Sequence, residues 1–213
     1  MASRMASMVQ AVQPQGPYHL IGPCTGGILA YAIARQLLSI DEEVTFVGLI
    51  DSVLEEPGNY NLVHQLRRDM KEQQLVPEEV GIELTSHPET EAELDRLIQE
   101  TQRLEAQGRS FLGGGQVTKQ QFLYARAIAN YEPAALPAVI HQFNAMEKTK
   151  ASETAPESDT LGWERVMPES SIRTTFTPGN HNSMLVEPEN IVQLGSHISR
   201  ELAGLPAACS RSK

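Results

Sequence analysis

The stretch Tyr18-His-Leu-Ile-Gly-Pro-Cys-Thr-Gly-Gly-Ile-Leu-Ala-Tyr31 constrains the fold more than any other part of the chain. Its centre, Gly22-Pro23-Cys24-Thr25-Gly26, is a Gly-x-Ser-x-Gly nucleophile elbow with cysteine in the serine position. The pattern predicts a short apolar strand over residues 18–21, a tight turn, and a helix over about residues 25–38. Such a turn holds one side chain in a strained, exposed position beyond the strand end. Small residues must flank it, so Gly22 and Gly26 are expected where a Cβ would strike a neighbouring strand or helix. The free N–H groups of the helix start point at that side chain, which favours a thiolate and a developing oxyanion.

The next segment sets the fold class. Ile28, Leu29, Tyr31, Ala32, Ile33, Leu37 and Leu38 make a largely apolar helix, as expected for one packed on a sheet. Residues 44–50 (Val-Thr-Phe-Val-Gly-Leu-Ile) read as a buried parallel strand whose end delivers Asp51. Strand, helix and strand form a βαβ unit with a right-handed crossover, so the chain is α/β. Ligand chemistry in such sheets lies beyond the strand C-termini, where Cys24 and Asp51 both fall. Upstream, residues 1–13 carry a helical stripe of Met5, Met8, Val9 and Val12, broken by Pro14-Gln-Gly-Pro17.

From residue 55 to about 130 the character changes. Residues 62–74, 89–107 and 119–131 have helical periodicity and much surface charge, punctuated by Pro77, Pro88 and Gly113-Gly-Gly115. This region reads as a helical lid inserted over the sheet, with Gly113 to Gly115 as its hinge. The plainer alternative is a solvated helical subdomain with no gating role. Residues 136–143 look like the next strand, 149–160 a mobile Ser/Thr/Glu/Pro-rich loop, 161–163 the start of a short turn, and 171–176 the last strand. The turn Pro178-Gly-Asn-His181 follows directly. A closing helix spans 188–202 with Ile191, Leu194, Ile198 and Leu202 on one face, and Pro188 suits its first turn. The expected organisation is one domain over 1–213, with a core of 1–54 and 132–213 and a lid of about 55–131.

Composition narrows the function classes. With 213 residues there is room for one sizeable core. A net charge of −10 without a basic block makes nucleic acid and anionic membrane surfaces poor partners. No run of about 18 apolar residues predicts a membrane span, and residues 1–9 lack the apolar core of a signal peptide. The two cysteines are Cys24 and Cys209, the latter in a small polar tail, so a reducing compartment is expected and the protein reads as soluble and cytoplasmic. His19, His64, His87, His141, His181 and His197 lack metal-ligand spacing, so no metal is expected, and Gly113-Gly-Gly115 lacks the Lys-Ser/Thr of a phosphate loop.

Three residues converge on one predicted sheet edge: Cys24 at the elbow, Asp51 after the next strand and His181 after the last. Each has an ordinary structural alternative. A lone cysteine is a small core hydrophobe, an Asp at a strand end is a helix cap, and a His in a turn satisfies the turn. Together they form an acyl-transfer set: a thiol to attack a carbonyl, an imidazole to take and return the proton, and a carboxylate to fix the imidazole tautomer.

Gly16-Pro-Tyr-His-Leu-Ile-Gly22, Gly26-Gly-Ile-Leu-Ala-Tyr-Ala-Ile-Ala-Arg35 and Val47-Gly-Leu-Ile-Asp-Ser52 resemble the type I thioesterase domains that end nonribosomal peptide and polyketide synthetases. Tyr131-Glu-Pro133, Gly162-Trp163 and Thr177-Pro-Gly-Asn-His-Asn-Ser-Met-Leu-Val-Glu-Pro188 resemble later landmarks of that family, and the likeness covers about residues 5–203. The resemblance implies an α/β-hydrolase fold. It implies no bound cofactor, but an acyl group presented on the phosphopantetheine arm of an acyl or peptidyl carrier protein. That group would pass to the enzyme and then to water or to an internal amine or hydroxyl. It also supports Asp51 as the acid, with Asp159 a weaker rival.

Two departures from the family pattern matter. The nucleophile is Cys24, whose thioester acyl-enzyme is more reactive toward amines than an oxoester, which points to aminolysis, macrocyclisation or ring closure rather than hydrolysis. The chain also starts late. The family has several strands before the elbow, including a loop that gives a second oxyanion N–H; here Thr25 supplies one donor and the first strands are missing. Losing one donor costs ~10²–10³ in rate. A fragment, a misplaced start or completion by another chain is therefore expected. Competing readings are a stand-alone editing thioesterase and a truncated, non-catalytic carrier-binding module. Expected pocket-lining residues are Pro23 and Thr25 beside the elbow, Ser52 after the acid and Asn182 beside the base.

Overall fold

The strand–helix–strand unit forms as predicted. In the computed structural model, helix α1 (Ala2–Val12) leads into β1 (Tyr18–Pro23), α2 (Thr25–Leu38) and β2 (Val44–Ile50). Residues 1–55, 66, 69, 91–111, 118–148 and 158–205 are described here. The sheet continues with β3 (Ile140–Ala145) and β4 (Ile172–Thr177), in the order β1-β2-β3-β4 with every neighbouring pair parallel. Parallel strands share a direction, so all four C-terminal ends lie along one edge of the sheet. β2 is buried along almost its whole length, the signature of an inner parallel strand covered on both faces.

Two strand boundaries differ from the sequence reading. The third strand begins at Ile140 rather than 136, and its ladder with β2 starts at the pair Val47–Ile140. Pro137 has no N–H to give to a ladder, so the apolar run before Ile140 stays outside the sheet. β3 instead runs on through Asn144 and Ala145, which pair with Phe176 and Thr177. β1 extends to Pro23, opposite Ile50; proline is tolerated there because the bond to the Ile50 carbonyl comes from the N–H of Cys24, so the ladder to β2 asks for none from Pro23.

The chain divides into two compact units. The first comprises Met1–Glu55 and Pro133–Lys213, the second Glu56–Glu132. In the first, α2 packs on β1 and β2, and α1 packs on α2 through buried Ala6. The predicted apolar stripe of α1 stays largely open, with Met8 61% and Val12 88% exposed. On one sheet face Phe46, Ile50 and Phe143 meet Met184 of α5 (Ser183–Val186) and Leu194 of α6 (Pro188–Ala203), with Ile198 and Leu202 against them. Ile191, expected on the same stripe, lies in the first turn of that helix and is 45% exposed.

In the second unit the described elements are two helices, here numbered between α2 and α5: α3 (Glu91–Ala106) and α4 (Lys119–Ala129). Leu94, Leu97, Ile98 and Leu104 form the buried stripe of α3. Thr118 and Gln121 make a capping box at the start of α4, each side chain bonding the other's backbone N–H. Most of the predicted helix over 62–74, Pro77, Pro88, the Gly113–Gly115 hinge, residues 149–157 of the loop and Cys209 lie outside the described residues.

Candidate active site

The elbow forms where β1 gives way to α2. Cys24 takes φ 51° and ψ −131°, a conformation that L-residues rarely adopt and that persists only where the surroundings enforce it. Its N–H donates to the Ile50 carbonyl at 2.9 Å, and its own carbonyl accepts from Gly27 N–H at 3.0 Å. A Cβ on Gly22 would stand 2.1 Å from the Gly26 carbonyl oxygen, and one on Gly27 would stand 2.5 Å from Ser52 Oγ. At Gly26 the nearest atom is Pro23 Cδ at 3.3 Å. The glycines that permit close approach are therefore Gly22 and Gly27, and Gly26 is the less constrained of the expected pair.

Asp51 follows β2 with φ 44°. Its N–H donates to the Phe143 carbonyl at 2.8 Å, and its Oδ1 accepts from the Ala145 N–H at 3.0 Å. These two bonds to β3 leave Oδ2 facing His181 Nδ1 at 2.7 Å. His181 stands in the turn after β4. Asn180 Oδ1 accepts from the N–H groups of Asn182 and Ser183, both at 3.0 Å, while Ser183 Oγ accepts from Asn180 N–H at 2.8 Å. This Asx turn sets the direction in which His181 leaves the backbone. Asn180 and Ser183 were not singled out from sequence; an Asn following Pro-Gly is the signal that could have found them.

Nδ1 of His181 is committed to Asp51, so Nε2 is the nitrogen left for Cys24, with which the imidazole also hydrogen-bonds. The Asp51 hydrogen bond, then that of Cys24, push the imidazole pKa up to about 10 against the opposing effect of burial. Burial by itself raises the Cys24 thiol. The hydrogen bond and charge of His181, together with the Thr25 N–H, outweigh it and bring the thiol below its ordinary value. Both shifts favour a thiolate–imidazolium pair. Cys24 is exposed, and the side chains of His181 and Asp51 are 33% and 14% exposed, so the pair is open to a reactant.

The remaining expected site residues divide. Pro23 is exposed and Thr25 half-buried beside Cys24, while Asn182 is exposed next to His181. Ser52 does not line a surface: it is fully buried beneath Gly27, and its carbonyl accepts from Trp163 Nε1 at 2.8 Å and Gln142 Nε2 at 3.1 Å. Asp159 uses its backbone carbonyl to accept from Asn144 Nδ2 at 2.6 Å, and the carboxylate facing His181 is that of Asp51. Among the described residues no group of three or more His, Cys, Asp or Glu stands close enough to hold a metal ion, and no helix is long and apolar enough to cross a membrane.

A family model described as Thioesterase domain matches residues 1–202. The chain is 41% identical over 58 residues to N-(5-amino-5-carboxypentanoyl)-L-cysteinyl-D-valine synthase of Penicillium rubens, covering 27% of this chain and 2% of that protein. It is 27% identical over 202 residues to the non-reducing polyketide synthase terA of Aspergillus terreus, covering 93% of this chain and 9% of that protein. It thus spans only a small part of the length of these curated relatives. Among solved structures, the NocB thioesterase domain in covalent complex with a fluorophosphonate nocardicin G analogue superposes with a TM-score of 0.59 at 20% identity, covering 96% of this chain and 74% of that one. The shared architecture is a parallel sheet with flanking helices, the α/β-hydrolase arrangement.

Proposed function

The chain belongs to the Thioesterase domain family, and from that premise we propose that it releases an acyl, peptidyl or polyketide chain from a carrier protein through a Cys24 acyl-enzyme. The observation that carries this reading is the line of Asp51, His181 and Cys24 along one sheet edge, with Asp51 Oδ2 at 2.7 Å from His181 Nδ1 and the imidazole bonded onward to the thiol.

The chemistry follows from the charge state. The Cys24 thiolate attacks the carbonyl carbon of a phosphopantetheine thioester. The tetrahedral oxyanion is met by the Thr25 N–H at the start of α2. The bond from carbon to the pantetheine sulfur breaks, and the His181 imidazolium gives its proton to the departing thiolate. Water, or an amine or hydroxyl of the acyl chain, then attacks the Cys24 thioester while neutral His181 takes its proton. The acyl–Sγ bond breaks and the thiolate–imidazolium pair returns. Asp51 holds Nδ1–H throughout and so keeps Nε2 toward the reaction. Pro23 and Asn182 border the open side.

Cysteine in the nucleophile position favours capture by an internal amine, because a thioester exchanges with amines more readily than an oxoester. A module that merely holds a carrier needs no thiol of lowered pKa, so the Cys24–His181 bond supports turnover over passive binding. Intact-mass spectrometry with an acyl-pantetheine thioester tests the reading. An adduct is expected on the native chain, none on Cys24→Ala, and slow formation on His181→Ala. A folded native chain that gains no adduct refutes it. Comparing native and Cys24→Ser products tests the cyclisation preference, which an unchanged ratio of acid to cyclic product would sink.

A further inference from the structure

We propose that Trp163, with Gln142, is a positioning residue for this reaction, holding the acid loop so that Asp51 meets His181. The inference rests on the Cys24–His181–Asp51 reading above. Asp51 has φ 44°, and a non-glycine residue stays there only where its neighbours over-determine the chain. On its N-terminal side Asp51 is tied to β3. On its C-terminal side two buried donors converge on the next carbonyl, that of Ser52: Trp163 Nε1 at 2.8 Å and Gln142 Nε2 at 3.1 Å. Trp163, Gln142 and Ser52 are each fully buried, so each of these groups depends on the others for its hydrogen bond.

The segment around Trp163 is built to meet this loop. Leu54 N–H donates to the Leu161 carbonyl at 2.9 Å, and the Arg165 guanidinium donates to the Leu54 carbonyl. Gly162 turns between them at φ 89°, where a Cβ would stand 2.4 Å from the Leu54 carbonyl oxygen. The other side of the indole lies on Tyr31 of α2, with ring centroids 4.7 Å apart. One side chain thus touches both the loop that carries the acid and the helix that begins at the nucleophile. A ring that only filled space would need no N–H aimed at Ser52, because an all-carbon side chain carries no polar atom to satisfy when buried.

The test uses Trp163→Phe and Gln142→Met, which remove one donor each; methionine keeps the length of glutamine, and phenylalanine keeps an aromatic ring smaller than the indole. The readouts are steady-state kinetics with an acyl-pantetheine thioester and the pH at which the thiolate ultraviolet absorbance of Cys24 appears, taken as the part of the signal that Cys24→Ala lacks because Cys209 also absorbs. Each variant is expected to lower kcat about tenfold, the rate equivalent of one lost hydrogen bond, and to leave KM unchanged. The thiolate should appear about one pH unit higher, since a displaced Asp51 no longer holds the imidazolium. Combining Trp163→Phe with Asp51→Asn should add nothing to Asp51→Asn alone. Lower thermal stability with unchanged kcat and thiolate onset would overturn the inference, as would full additivity with Asp51→Asn. If Trp163→Phe does not fold, Gln142→Met reads the second bond to the same Ser52 carbonyl. Should Asp51→Asn itself change neither readout, the triad reading fails, and this inference with it.

Discussion

Replacing Asp51 by asparagine keeps the volume of the side chain and removes its charge. In the native chain the His181 imidazole is raised from its ordinary 6.5 to about 10, chiefly by the Asp51 hydrogen bond and next by Cys24. At about 1.4 kcal/mol per unit the whole shift is of order 5 kcal/mol, but Cys24 contributes to it and a third of the imidazole faces solvent. After that discount the share of Asp51 is of order 2 kcal/mol, or roughly 30-fold in proton affinity. A weaker hold on the imidazolium weakens the charge that stabilises the Cys24 thiolate. The assay is the rate of iodoacetamide alkylation of Cys24 against pH. The native chain should alkylate with a midpoint below that of an ordinary thiol. In Asp51→Asn the midpoint should move up by about one to two units, with the plateau rate at high pH unchanged. A midpoint that stays in place would show that Asp51 does not govern the pair, and the electrostatic argument for the site would fail.

Other outcomes follow from the same geometry. Gly22→Ala puts a Cβ 2.1 Å from the Gly26 carbonyl oxygen, which is backbone and cannot yield without moving the first turn of α2; it should cost about 3 kcal/mol or more in urea unfolding and remove acylation of Cys24. Leu194→Ala empties a site among Phe46, Ile50, Phe143 and Met184 and should destabilise the fold by about 2–5 kcal/mol in the same measurement. The raised His181 pKa adds stability that is complete below about 6.5 and is lost as pH rises through about 10. The stability difference between native and His181→Ala should therefore shrink from pH 6 toward pH 10; a constant difference would mean that His181 is not held as an imidazolium.

Much of this protein was legible in its sequence because two local patterns leave few alternatives. The run Val44–Ile50 can be buried along its length only as an inner strand, and the elbow around Cys24 can follow only a strand that leads into a helix. From those two elements come the parallel sheet, the shared edge and the placing of Cys24, Asp51 and His181 at strand ends. Periodicity does not register hydrogen bonds, so β3 was expected too early: its start depends on which residue first meets Val47 of β2. Nor does sequence order say what a polar side chain faces. Ser52 reads as a pocket residue beside the acid, yet it is buried beneath Gly27 because α2 comes down onto the loop at that point. Gly26 and Gly27 are equivalent as letters, and only the approach of Ser52 makes the second the crowded one. The pairing of His181 with Asp51 rather than Asp159, and the convergence of Trp163 and Gln142 on one carbonyl, join residues separated by 130, 111 and 90 positions. Local pattern decides what each segment becomes; contacts across such separations exist only once the sheet has brought its strands together.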